Sequence, residues 1–585
     1  MLDSPAVASS ASTKFKTSTG ALVAGAIGVL VCLFGHLGAL GLVGPDEPRY
    51  AWIARNMAAT GDWITPRLYG QPWFEKPVLY YWTAAFGFRL HLPAEWAARF
   101  PSALAALAAA LVIGWLAWKH YDGPETSAPN LALLAPLVFA TTVGAIGFAR
   151  SAGPDMLFTA SLTLAMAGAA TIFRRAGILS SDAHTVSAEQ WHDALPLALF
   201  GASLGLGVLA KGPAAVVLAG GAVGSWALAT RNWRIALRLA HPIAILAFCI
   251  LALPWYVICS LRNPDFIRIF IFQHNVERYL TPVFQHQQPF WYFIPILLLA
   301  LLPWTILLLP LAQDALHHWR EESWTASPGF FFACWAIFPL VFFSFSQSKL
   351  PGYILPAIPP LSLLLAVSLG RALRRNSISG SRHGSRYAKW ILPALGITLI
   401  ILGTFAIHST SRLPRAALAD PPAQILTAKA DPQTLLGYCA MIAIAGGCLV
   451  AALGLFRPRH AMLLFFAVIA ALVELAGLRV LPALDPYISA RSHEAFLRHD
   501  LRQDRLFTFH LPRSWNYGLA FYFGRELPEW SPADPEPALV LTNLQGFKEI
   551  GKLGRFHSGA DEEERNGDGN SVRGILYVPV QPAPR

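Results

Sequence analysis

The chain is poor in charge. Of its 585 residues only 14% are Asp, Glu, Lys or Arg, against about 25% in a soluble domain. With 55% of residues drawn from AVILMFWYC and a mean hydropathy of +0.45, that deficit excludes a soluble enzyme, a disordered chain and a fibrous protein. What is left is a polytopic membrane protein. Cysteine is scarce too. Cys32, Cys249, Cys259, Cys334, Cys439 and Cys448 all fall in apolar stretches, and none forms a CxxC pair, so neither a disulfide framework nor a cysteine metal site is expected. The sequence has no Walker loop, no GxGxxG and no HExxH, and so gives no sign of a cytosolic nucleotide site. Substrates of such a chain arrive by another route, as lipid-linked molecules do.

The little charge there is lies unevenly. Residues 484–585 hold 12 Lys+Arg and 14 Asp+Glu, and the first 483 hold 33 and 20. This divides the chain into a cytoplasmic tail (1–19), a membrane domain (20–483, with a first outer loop at 44–96) and a soluble C-terminal domain (484–585). The net charge of +11 sits in the membrane part, where it reads as topology rather than nucleic-acid binding.

A spanning helix needs about 20 mostly apolar residues. Thirteen stretches qualify: 20–43, 97–118, 130–149, 155–173, 194–211, 213–229, 240–260, 290–312, 329–346, 353–371, 389–408, 437–456 and 460–481. The first is longer than a signal-peptide core and reads as an uncleaved anchor. With the N-terminus inside, the inner loops collect Lys14 and Lys16, Lys119, Arg174 and Arg175, Arg231, Arg234 and Arg238, Arg320, Arg374 and Arg375, and Arg457 and Arg459. That arrangement satisfies the positive-inside rule and puts the C-terminal domain outside. No internal or inverted repeat is visible.

The unusual residues then gather on the outer side. The first outer loop starts with a helix-like stretch, 46–58, with Tyr50, Ile53, Ala54 and Met57 on one face. It is expected to lie on the membrane surface, with Trp52, Trp63, Trp73 and Trp82 at headgroup depth. Asp46–Glu47 follow the first span. A carboxylate at a membrane boundary is partly desolvated and makes a better base, although Asp-Glu-Pro is also a good helix start. Lys76, beside Glu75, suits a phosphate as a point charge, or else it snorkels to headgroups. Glu75 and His274 suit a divalent metal such as zinc, although only two ligands are visible and His286 competes. Asp155 opens a span behind Arg150, as a functional acid or as a cap paired with that arginine. Lys349 and Tyr353 lie in SKLPGYILP, suited to a phosphate or to a proline-rich turn, and Lys211 in its short hairpin is similar. Glu474 is the one acid deep in a span, with Arg479 as a structural partner.

At GPDEPRYA, FEKPVLYYW, ARSAGPDMLFT, FQHNVERY and SKLPGYILP the sequence resembles the GT-C membrane glycosyltransferases. More closely, it resembles the bacterial branch of the protein O-mannosyltransferase clan, which includes the lipid A aminoarabinose transferases. The resemblance covers roughly residues 20–485. It implies an all-α polytopic bundle with amphipathic juxtamembrane helices and a C-terminal α/β domain. It also implies a sugar donor on a polyprenyl phosphate such as undecaprenyl phosphate, and a lipid or protein acceptor at the periplasmic face of the inner membrane.

The catalytic candidates are Asp46, Asp155 and Glu47. Lys76, Arg49, Tyr80, Lys349, Tyr353, Arg150 and Lys211 are the substrate-binding candidates, and Glu75 and His274 match the pair that binds zinc in the aminoarabinose transferase. No nucleotide cofactor or nucleic acid is expected, and the chain is expected to act as a monomer. The loop at 271–291 reads QHN where those transferases tend to have an acid before the histidine, and the tail carries GADEEERNGDGN. The acceptor can therefore differ from lipid A. In this reading the phosphate leaves, cations receive its charge, Asp46 orients the acceptor and the anomeric centre inverts. The alternatives are a protein O-mannosyltransferase and, from another class, a flippase for a lipid-linked sugar. The soluble domain is expected to be helical at 490–504 and strand-like at RLFTF, AFYF, ALVLT and ILYVPV.

Overall fold

The computed structural model of the chain describes residues 19–121, 130–179, 193–282, 286–318, 324–325, 327–375, 385–410, 432–494, 505–534, 536–553 and 576–580. The N-terminal tail through residue 18, the second part of the 490–504 segment and the stretch 559–570 lie outside those residues.

In hydrocarbon a backbone must satisfy its own hydrogen bonds, so apolar composition here means helix. The principal helices are α1 (Thr19–Phe34), α2 (Asp46–Thr60), α3 (Leu79–Arg89), α4 (Ala94–Tyr121), α5 (Leu131–Ala140), α6 (Val143–Ala149), α7 (Asp155–Arg175), α8 (Ala194–Lys211), α9 (Ala214–Thr230), α10 (Pro242–Arg262), α11 (Arg268–Glu277), α12 (Phe293–Ala300), α13 (Leu308–His318), α14 (Pro328–Ser344), α15 (Ile358–Arg375), α16 (Ser385–Thr410), α17 (Pro432–Phe456), α18 (Pro458–Leu475), α19 (Arg513–Phe523) and α20 (Leu544–Lys552). By length and composition, 8 helical segments among the described residues suffice to cross a membrane. Three shorter apolar helices, α1, α9 and α14, and two bent pairs occupy the remaining sites that the hydropathy picked out.

The bent pairs correct the sequence reading, in which 130–149 and 290–312 were single spans. α5 and α6 meet at 69°, and the second pair bends by 111° before Trp304. The Thr141 and Thr142 hydroxyls donate back to the carbonyls of Leu137 (2.6 Å) and Phe139 (2.8 Å), and Pro303 has no N–H to continue a helix. The two breaks face one another. Val143 N donates to Leu302 O at 2.9 Å, and Trp304 Nε1 donates to Thr141 Oγ1 at 2.9 Å. Each break thus supplies partners that the other lost, which is how irregular backbone survives at membrane depth.

α1 stops at Phe34 rather than running to residue 43. The segment beyond it is held by Arg99 of α4, whose guanidinium donates to the carbonyls of Leu37 (2.8 Å), Leu40 (2.6 Å) and Gly41 (2.8 Å). α2 is helical as expected and ends at Gly61, which has φ +73°. It does not lie open on a membrane surface, however. Tyr50, Ala51, Trp52, Ile53, Ala54 and Met57 are all buried, because α3 and the C-terminal helix α19 pack over it. The tryptophans are used for packing instead: Trp82 Nε1 donates to Trp63 O at 2.7 Å.

After α2 comes a short antiparallel hairpin, β1 (Arg67–Leu68) and β2 (Gln71–Pro72), which turns through Tyr69 and Gly70 with φ +50° and +70°. The C-terminal domain carries a sheet ordered β3 (Leu506–Phe509), β4 (Ala538–Thr542), β5 (Leu576–Val580). The first two strands are parallel and the last two antiparallel. AFYF is not a strand but the last turns of α19. Leu519 packs toward the domain's own core, while Tyr517, Ala520 and Phe521 pack toward the membrane domain. A segment buried on both sides has no alternation to betray its period. All six cysteines are free.

Candidate active site

Asp46 opens α2, and Arg49 lies one turn further along the same face. Arg49 Nη2 is 2.7 Å from Asp46 Oδ1 and 2.9 Å from Glu75 Oε2, and the Asp46 side chain is 62% exposed. The other Glu75 oxygen, Oε1, lies 3.5 Å from Lys76 Nζ and 3.5 Å from Arg278 Nη1. A single largely buried carboxylate therefore holds three cations from three parts of the chain. Burial alone would push Glu75 up, but Lys76, Arg49, Arg278 and His274 outweigh it and hold the carboxyl down at about 2. Burial pulls Lys76 down to about 8 against the opposing pull of Glu75, with Arg278 and Lys211 adding to the descent. Burial likewise pulls His274 down to about 4, so near neutral pH it is an uncharged imidazole. Arg278 is raised: burial opposes its charge, and Tyr353 and Glu75 overcome it.

A second pair closes the site. Asp155, the first residue of α7, and Lys211, the last of α8, form an ion pair across their helix ends. Lys211 Nζ also sits 4.9 Å from the centre of the Tyr353 ring and 5.5 Å from that of Phe158. The Tyr353 segment approaches this closely because residue 352 is glycine. A Cβ there would come 3.0 Å from Asp155 Oδ1 and 2.9 Å from Phe148 Cε1. Lys76 feels both Lys211 and Asp155, which joins the two groups electrostatically. Arg49, Lys76, Lys211 and Arg278 together face Asp46, Glu75 and Asp155. That surplus of positive charge, desolvated at helix ends, suits an anionic ligand such as a phosphate.

Five residues picked from the sequence do other work. Glu47 faces into the frame rather than into the site. It is buried and accepts from Arg99 Nε (3.2 Å), Arg99 Nη2 (2.8 Å), Val43 N (2.9 Å) and Ala152 N (2.8 Å). One position along a helix turns a side chain by about 100°, so Glu47 points inward where Asp46 points out. Arg150 does not pair with Asp155 but donates to the carbonyls of Val31 (3.0 Å) and Cys32 (3.1 Å). Tyr80 is buried with its hydroxyl on Ala98 O at 2.9 Å. The Lys349 ammonium is held by the carbonyls of Gln288 (3.0 Å) and Ser346 (2.5 Å). Glu474 meets His36 Nε2 at 2.7 Å rather than Arg479.

Arg278 was missed. Its signal was there in HNVER, four residues after His274 and so on the same helical face. α11, which ends just before it, is wound with i→i+5 hydrogen bonds, a rare geometry found mostly at functional sites.

Glu75 and His274 do come into electrostatic contact. Among the described residues no group of three or more His, Cys, Asp or Glu is placed to hold a metal, and both Glu75 oxygens already face cations. Glu75 and His274 are thus two neighbouring donors, the carboxylate already charge-paired.

The structure is a bundle of broken and unbroken apolar helices, with acids and cations gathered on one set of connections. Over 96% of this chain and 98% of that one, it superposes on ArnT from Cupriavidus metallidurans bound to undecaprenyl phosphate with a TM-score of 0.75, at 21% identity. The apo form of the same protein gives 0.70. Residues 34–270 match the family model for dolichyl-phosphate-mannose-protein mannosyltransferase. The chain is also 34% identical over 341 residues to the undecaprenyl phosphate-alpha-4-amino-4-deoxy-L-arabinose arabinosyl transferase of Edwardsiella ictaluri, covering 57% of this chain and 58% of the relative. To the Erwinia tasmaniensis protein of the same name it is 32% identical over 371 residues, covering 62% of each. The chain thus spans about three fifths of the length of the curated relatives it matches.

Proposed function

We propose that the chain is an integral-membrane glycosyltransferase. It moves a sugar from an undecaprenyl-phosphate donor to a lipid acceptor, of the lipid A kind, at the periplasmic face of the bacterial inner membrane. The observation that carries this reading is the largely buried trio Lys76, Arg278 and Glu75 beside an exposed Asp46. The names of the relatives support the donor, and the basic inner loops support the orientation.

In the reaction the bond between the anomeric carbon and the phosphate oxygen breaks, and its electron pair goes to the phosphate. Lys76, Arg278 and Lys211 receive that charge in a partly desolvated setting, where fixed cations count most. Asp155 holds Lys211, and Arg49 fixes Asp46 through one oxygen, leaving the other for the acceptor. A hydroxyl acceptor gives its proton to Asp46 as its oxygen attacks, whereas a lipid phosphate needs only to be oriented. A single displacement inverts the anomeric centre.

The test is transfer from radiolabelled undecaprenyl-phosphate sugars in membranes, wild type against Asp46→Asn. Losing a positioned base costs about 10²–10⁴ in rate. Label should pass into lipid and depend on Asp46. Label in protein would move the acceptor to a polypeptide. Labelled lipid crossing sealed vesicles without transfer would replace the enzyme by a flippase.

A further inference from the structure

One side chain of the C-terminal domain, Glu526, bonds to two of the elements that carry the site. Glu526 follows α19 and the left-handed turn at Gly524. Its Oε1 accepts from Trp52 Nε1 at 2.9 Å and from the backbone N–H of Tyr69 at 2.8 Å. These donors belong to the two elements that carry the charged site. Trp52 is one turn after Arg49 on α2. Tyr69 is at the turn of the β1–β2 hairpin, whose outgoing strand runs through Trp73, under the Arg49 guanidinium (5.5 Å from the ring centre), to Glu75 and Lys76. Two further contacts hold the same cover on the same elements. Arg55 of α2 donates to Phe521 O and lies over the Phe521 ring at 5.5 Å, and Tyr69 packs on Tyr517 with ring centres 6.1 Å apart.

We infer that Glu526 is a positioning residue. By tying α2 to the hairpin, it fixes the spacing between Arg49 and Glu75, and through them the facing of Asp46 and Lys76. The C-terminal domain is then part of the active site's frame, without touching substrate. The inference rests on the glycosyltransferase reading for its effect on rate, and on geometry alone for its effect on the two segments.

Glu526→Ala removes the one oxygen that accepts both bonds, Glu526→Gln keeps a carbonyl oxygen that can accept both, and Trp52→Phe removes one donor while keeping the ring. The full-length variants in lipid nanodiscs are compared by amide hydrogen exchange and by steady-state transfer. In Glu526→Ala, exchange should rise in 46–60 and 66–76 and stay at wild-type level in α4 and α7. With reacting groups held less firmly, kcat should fall about 10- to 100-fold while the donor KM stays within about threefold. Glu526→Gln should recover most of kcat, and Trp52→Phe should fall between. The inference is overturned by unchanged exchange in those segments, by an Ala variant with wild-type kcat, or by a Gln variant as impaired as Ala. Exchange rising throughout the bundle would also overturn it, since that marks a general loss of fold. If the wild type transfers no sugar, the functional reading fails separately. The exchange data then decide the positioning role alone.

Discussion

Glu47 and Arg99 form a buried two-point ion pair. It pins the start of α2 to α4 and, through Ala152 N, to the turn that leads into Asp155. Adjacent acids therefore have opposite roles, Asp46 open to ligand and Glu47 closed into the frame. Removing one partner of a buried pair leaves an uncompensated charge and costs about 3–5 kcal/mol. Glu47→Ala is expected to lower the thermal midpoint sharply in detergent, whereas Asp46→Asn keeps it. Equal midpoints for the two variants would refute this division of labour.

The pH profile follows from Lys76. Burial holds its free-enzyme value near 8, so the ammonium is charged below that pH and loses its proton as pH rises through it. For transfer, kcat/KM for the donor is expected to decline above about pH 8. Lys76→Arg, whose guanidinium stays charged in proteins, should flatten that limb even if its overall rate is lower. A decline that persists unchanged in Lys76→Arg assigns it to another group.

Arg278 contributes a guanidinium to a site that the sequence reading built without it. Hydrogen bonds to charged groups are worth about 1.5–3 kcal/mol, so Arg278→Ala should weaken undecaprenyl phosphate binding about 10- to 100-fold, measured by titration into nanodisc-held protein. Arg278→Lys should restore part of that. An unaltered affinity would remove Arg278 from the phosphate site.

Glu75 already faces three cations, whose charge opposes that of a dication. Exhaustive chelation is expected to leave transfer within about twofold of the untreated rate, since loss of a working metal ligand set ordinarily costs far more. Activity lost on chelation and regained with zinc alone would restore the metal reading. Glu75→Gln would then abolish that rescue.

The apolar segments and a helix over 46–58 were legible, because hydropathy and helical spacing are local to each stretch. The roles of single residues were less so. Asp155 found Lys211 rather than Arg150 because a contact between helix ends depends on how α7 and α8 pack, not on sequence distance. The membrane-surface reading of α2 failed because its cover, α19, lies more than 400 residues away and looked like a strand. The breaks at Thr141–Thr142 and Pro303 were invisible to a hydropathy window, which averages over the polar atoms that matter.

Those two breaks have a further consequence. Each exposes backbone groups that lipid cannot satisfy, and each is completed by the other. Neither half is at rest in the bilayer on its own. An α5–α6 segment leaving the insertion machinery remains unfinished until the region around Trp304 has been synthesised and docked beside it. A chain truncated before residue 300 is expected to leave the Val143 N–H without the Leu302 carbonyl it donates to.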